Sequence, residues 1–241
     1  NPDTTFVGAV HMPHDGVANC RQLALLLTAA PQQMGVKFEF NTTVTRLEQG
    51  QTANLLIAGE NSPRSFEHVV LCASVASAQL LRPLGLKIPM AAVYGYSISA
   101  PIHEAMNAPR SALMDEHYKV AISRLGNRVR VAGSAEIGGS LENRRADSIQ
   151  TLYKVLHDWF PVAVQRTNRC VTVQEWKGAR PMMADGPPVI GASGLSGFWL
   201  NLGHGSSGWA LSCGSARVLA DLIAGKSPAI DMEGLGIERL A

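Results

Sequence analysis

The sequence predicts a mixed α/β (α+β) protein, an α/β layer interrupted by an inserted antiparallel-sheet segment, and three observations carry that expectation. A capped amphipathic helix is followed by strand-like runs as far as about residue 88. Prolines then divide short apolar segments up to residue 176. After it, glycine turns and buried runs return, closing on a strand, a glycine-rich bend and a long apolar helix.

In order, Asn19 is placed to cap a helix that presents Leu23, Leu26, Leu27, Ala30 and Met34 at three- and four-residue spacing, with Gly35 closing it in a left-handed conformation. Strands are expected where Val36, Phe38 and Phe40 alternate with polar neighbours, over Leu55 to Ala58, and over Phe66 to Leu71. Beyond Ile88, Pro89, Pro101 and Pro109 separate short runs: Val93 to Ser99, Tyr118 to Arg124 and Arg128 to Ser134, the last two joined by Leu125-Gly126-Asn127. That spacing suits antiparallel hairpins. A helix follows with Ile149, Leu152, Tyr153, Leu156, Trp159 and Phe160 on one face and Pro161 as its stop, then a strand from Val171 to Trp176. The last strand runs from Phe198 to Leu202 and the last helix from about Trp209 to Ala224.

A chain of 241 residues, 46% hydrophobic and 17% charged, has enough apolar content for a sizeable core. Its net charge of +2, without a run of like charges, gives no footprint for nucleic acid. Cys20, Cys72, Cys170 and Cys213 share no zinc spacing, so reduced thiols are expected. The apolar stretch Val69 to Leu81 falls short of the roughly 20 residues a membrane span needs, and Asn1 to Thr5 lack the features of a signal peptide. His11, His14 and Asp15 lie in a proline-containing loop without a further ligand, so no metal is expected. No Ser/His/Asp order comes with an elbow motif, which leaves hydrolase chemistry without a foothold.

Gly203-His204-Gly205-Ser206-Ser207-Gly208 fits GxGxxG between a strand and a helix, but the second parallel strand and acidic residue of a dinucleotide unit do not come after it. Two readings stay open. Missing Cβ atoms let a planar or anionic ligand lie against backbone at the positive end of a helix, or they simply allow a tight strand-to-helix turn.

"WKGARPMMADGPPVIG" followed by "NLGHGSSGW" and "SCGSARVLADLI" resembles the C-terminal signature of the FAD-dependent D-amino-acid oxidase and dehydrogenase superfamily. "PHDGVANCRQLALLL", "HVVLCASVASAQLLRPLGLKIPMAAVYGYSI" and "HYKVAISRLGNRVRVAGSAEI" resemble its bacterial D-amino-acid dehydrogenase branch, so the likeness spans the whole chain. The resemblance implies an FAD/NAD(P)-binding-type α/β domain, with residues 17–88 and 177–241 in the flavin-binding portion and 1–16 and 89–176 in the substrate-binding portion. It also implies that the family's N-terminal strand–GxGxxG–helix lies outside this sequence, which is expected to be the C-terminal portion.

By the same resemblance, Arg180 takes the place of the carboxylate-binding arginine, and a planar guanidinium suits a carboxylate through two parallel charge-assisted hydrogen bonds. An interdomain or surface ion pair is the alternative. Tyr118 takes that of a strand tyrosine near the substrate, with Tyr94 and Tyr96 as alternatives and a core role as the plain one. Gly203, His204, Gly205, Ser206, Ser207 and Gly208 correspond to the loop at the flavin pyrimidine edge, Val44 to a backbone contact with adenine, and Ala73 and Ser74 to a strand end that usually contains glycine. Met183 and Ala184 replace a Thr-Pro pair, and Asp185 is expected to fix its turn. His204 could serve as a base or as a hydrogen-bonding group in the turn.

The activity implied is oxidative deamination of a D-amino acid to a 2-oxo acid and ammonia by hydride transfer to FAD. Electrons would pass to a respiratory acceptor, a quinone or membrane carrier, which implies a cytoplasmic location at the inner face of a bacterial membrane without a spanning segment. A glycine or sarcosine-type oxidase, or an inactive folded fragment acting as a binding module, are the alternatives.

Overall fold

A computed structural model describes residues 7–163 and 173–240, and the chain divides into two compact units: residues 28–93 with 180–241, and residues 1–27 with 94–179. Helix α1 (Cys20–Gln33) crosses from one unit to the other in sequence. Asn19 caps it as expected, its Oδ1 accepting the Gln22 N–H at 3.2 Å, and Gly35 follows with φ +87°.

The first of these units is built from a three-stranded antiparallel meander and a second three-stranded sheet. The meander comprises β1 (Val44–Gln49), β2 (Ala53–Ile57) and β3 (Arg64–Phe66). β4 (Val69–Leu71) is followed by α2 (Ala76–Leu81), and β4 pairs not with the meander but with a strand far along the chain. The single strand expected over Phe66 to Leu71 is therefore two strands in two sheets, broken where Glu67 and His68 let the chain change direction. Residues 36–40 form no strand despite their alternation, because a ladder needs a hydrogen-bonded partner and no strand among the described residues pairs with them.

The other unit holds most of a five-stranded sheet in the order β6-β7-β8-β5-β9, from β5 (Met90–Pro101, its residues 90–93 in the first unit), β6 (Leu113–Asp115), β7 (Val120–Leu125), β8 (Arg128–Ile137) and, after the intervening helix, β9 (Gln174–Met183, its residues 180–183 in the first unit). Tyr118, expected inside a strand, lies just ahead of β7. α3 (Ala146–Trp159) covers one sheet face, burying Ile149, Leu152, Val155 and Leu156 against Ile98, Ala100, Ile122, Val129 and Val131. Pro161, which has no N–H to continue the ladder, follows its end as the sequence predicts, and Trp159 Nε1 donates to Asp115 at 2.8 Å. The expected strand from Val171 begins outside the described residues, and β9 opens at Gln174.

β10 (Val189–Ala192) and β11 (Phe198–Leu202) complete the second sheet in the order β10-β11-β4, and α4 (Gly208–Ile223) is the last α-helix, ahead of a short 3-10 turn at Ile237–Leu240. β11 alternates, so Phe198, Leu200 and Leu202 enter a core shared with Leu47, Leu71, Leu81, Val189 and Met183. β11 runs parallel to β4, with Phe198 opposite Val69 and Leu200 opposite Leu71. Among the described residues no helix is long and apolar enough to cross a membrane.

Candidate active site

Two parallel neighbours, β4 and β11, end side by side, and the chain leaves each of them through left-handed backbone. After β4, Ala73 packs on the core and Ser74 adopts φ +53°, a left-handed conformation that costs a residue with a Cβ. A serine thus occupies a glycine-like conformation at the strand end. After β11, Gly203 (φ +77°) and Gly205 (φ +59°) turn the chain into α4. The carboxyl ends of adjacent parallel strands are where open α/β sheets form a ligand crevice.

The glycines are needed for a reason the sequence did not disclose. A Cβ on Gly203 would stand 2.7 Å from the Met183 sulfur, and one on Gly205 the same distance from the Met182 sulfur. Backbone pairing between Met182 and His204 in an antiparallel bridge draws β9 against the turn. Because residues i and i+2 of a strand share a face, Arg180 lies on the Met182 side of β9, two residues from that bridge. One chain segment therefore joins two of the expected site features, the arginine and the glycine turn, within a single unit.

The turn has unmet hydrogen-bonding capacity. Ser207 at the start of α4 makes no side-chain cap bond and the first turn carries no acidic residue, so no side chain of that turn offsets the positive end of this 16-residue helix. The buried His204 Nε2 and Asn201 Oδ1 have no hydrogen-bond partner among the described residues. Burial also pushes the His204 imidazole below its ordinary value, so it is neutral at pH 7. Ser206 and Ser207 are exposed, and Val44, partly buried, starts β1 against the same core. Bare backbone, a positive helix end and unpartnered polar atoms all fall within residues 201–208, a set whose chemistry suits a planar, partly anionic group such as FAD.

Asp185 is not poised as a base. Arg239 Nε donates to it at 2.7 Å and holds its carboxyl below the usual range, while the same guanidinium donates to Pro187 O at 2.6 Å and Pro188 O at 3.1 Å. Its place is to close the turn of residues 184–188.

Tyr118 belongs to the other unit, beside α3. Lys154 Nζ stands 4.9 Å from its ring centre, His117 meets it edge-on, and its N–H donates to Asp115 Oδ1 at 3.0 Å. Two features escaped sequence reasoning: the methionines seated on the glycines, and Lys177, whose side chain is enclosed among tyrosines and carbonyl groups. A lysine in a strand reads as exposed, so composition carried no signal of it.

The family model for FAD dependent oxidoreductases of the DAO type matches residues 1–222. The chain belongs to the FAD dependent oxidoreductase family. Its curated relatives include "D-amino acid dehydrogenase" of Bradyrhizobium diazoefficiens, 40% identical over 98% of this chain and 55% of the relative, and that of Chromohalobacter salexigens, 39% identical over 98% and 56%. The chain spans about half the length of the curated relatives it matches. Among solved structures, iminodiacetate oxidase from Chelativorans sp. BNC1 superposes with a TM-score of 0.77 at 19% identity, covering 90% of this chain and 57% of that one. Glycine oxidase from Geobacillus kaustophilus gives 0.76 at 21%, covering 89% and 56%. These neighbours share the fold of this family member.

Proposed function

We propose that this chain carries the substrate-anchoring arginine and the flavin-edge turn of an FAD-dependent D-amino-acid dehydrogenase. The observation that supports the reading is the Met182–His204 bridge, two residues along β9 from Arg180. Relatives near 40% identity named D-amino acid dehydrogenase support the substrate class.

Arg180 holds the α-carboxylate through two parallel hydrogen bonds, which fixes the amino acid at one end and leaves its Cα–H free to be aimed. The start of α4 would turn the partial positive charge of the helix end toward the pyrimidine edge of the flavin, where it would favour the reduced form. Neutral His204 and Asn201 contribute a donor and an acceptor at the same turn. When bound, FAD supplies the acceptor for the Cα hydride. The substrate loses that hydride and one N–H proton to become an imino acid, which takes up water and releases ammonia and a 2-oxo acid. The two electrons taken up by a bound flavin would be handed to a respiratory acceptor at the inner face of the membrane.

The test is turnover of paired enantiomers by the FAD-loaded protein, with an artificial electron acceptor and with oxygen alone. The reading predicts a strong preference for D over L and little peroxide without the acceptor. Rapid peroxide release with glycine or sarcosine would move the assignment to an oxidase of the same family. No turnover and no flavin uptake would overturn both.

A further inference from the structure

Lys177 is the best-enclosed cation among the described ion pairs, its side chain 1% exposed, and nothing in the proposed chemistry uses it. Its ammonium stands 3.0 Å from Glu136 Oε2 and donates to Ser140 O at 2.7 Å and Asn143 O at 2.6 Å, which uses its three N–H donors. The Tyr94 and Tyr96 ring centres lie 4.5 and 5.2 Å away. The tyrosine hydroxyl of residue 96 donates to Glu136 and accepts the Arg145 N–H at 3.2 Å. Glu136 reaches this side because Ser134, at φ +67°, interrupts the alternation of β8 that buries Val129, Val131 and Gly133. Burial works against the charge on Lys177, but Glu136 and the neighbouring Tyr96 more than offset it, so the ammonium stays protonated.

The position in the strand gives this network its consequence. β9 runs without interruption from Gln174 to Met183, with Arg180 between Lys177 and the Met182–His204 bridge. The Trp176 ring folds back over Gly178, where a Cβ would collide with it.

We propose that Lys177 is a positioning residue for Arg180: the ammonium pins β9 upstream, the Met182–His204 bridge pins it downstream, and the guanidinium is thereby presented in one place. This rests on Arg180 being the carboxylate anchor. A strand held on both sides of a binding residue loses less order when ligand arrives, and small displacements of such a residue are costly to substrate binding.

The test replaces Lys177 with Met and with Arg, and reads two quantities. In the FAD-loaded protein, Lys177→Met is expected to raise KM for a D-amino acid on the order of tenfold while kcat stays within about twofold, with most of KM restored in Lys177→Arg. Without flavin, amide hydrogen exchange of residues 178–180 in the chain is expected to quicken about tenfold, with β10 and β11 unchanged. A variant that melts at lower temperature but keeps KM and the local exchange would show a purely structural lysine and overturn the proposal. So would a loss of kcat as large as the rise in KM, or no rescue by arginine. If Lys177→Met does not fold, Glu136→Gln removes the counter-charge and carries the same two expectations in smaller measure. Arg180→Met run alongside separates the claims: an unchanged KM there refutes the anchor, while the exchange data still judge the clamp.

Discussion

Ser74 holds a conformation that suits glycine, and its cost is measurable. Replacing it with Gly is expected to stabilise the chain by roughly 1 kcal/mol in denaturant unfolding, while Ser74→Ala, which keeps the Cβ, should bring no such gain. Gly203 answers to the opposite rule. Gly203→Ala combines a positive φ with a contact of 2.5 Å on Met183, so a loss of about 2 kcal/mol or more is expected by the same measurement. His204 makes stability depend on pH. Its folded-state value is depressed below the unfolded value of about 6.5, so its contribution is present above pH 6.5 and lost as the pH falls through the folded value. Unfolding measured from pH 8 downward should show that decline in the parent chain and a flatter curve in His204→Gln.

The helices and strands differ in how far sequence alone revealed them, and the difference is physical. Asn19, Pro161 and the alternation of Phe198, Leu200 and Leu202 act locally, so α1, α3 and β11 were legible almost to the residue. The split of Phe66 to Leu71 between two sheets was not, since partner choice is set by residues more than a hundred positions away. Residues 36–40 show the same limit: a period of two announces a strand, and pairing decides it. At the site, the glycine turn and Arg180 were legible from motif and resemblance, whereas their linkage through Met182 was not, because side chains without polar groups leave no signature of what they touch. The helices also respond differently to change. Leu152→Ala, at a fully buried position of α3, is expected to cost about 2–5 kcal/mol, and Leu26→Gln, at a 61% exposed position of α1, less than about 0.5.

For the whole molecule, the distribution of apolar surface matters most. α1 buries none of its residues, leaving Leu25, Leu26 and Leu27 in solvent, and the stacked Phe38 and Phe40 are exposed as well. An isolated helix of 14 residues gains most of its stability from a buried face, and this one contains Pro31 besides. The 241-residue chain by itself is therefore expected to bind an apolar fluorescent dye while folded and to self-associate in sedimentation. The sequence disclosed the leucine stripe of α1 but could not say whether it was covered, since burial belongs to the assembled surface rather than to the pattern.

All of these features bear on chemistry only if Arg180 grips a substrate carboxylate next to the flavin. The most direct measurement is anaerobic bleaching of the flavin by a titrated D-amino acid, in the FAD-loaded parent protein and in Arg180→Met. Two charge-assisted bonds lost, about 3 kcal/mol, predict half-bleaching at roughly a hundredfold higher concentration in the variant. Equal half-bleaching concentrations would contradict the account.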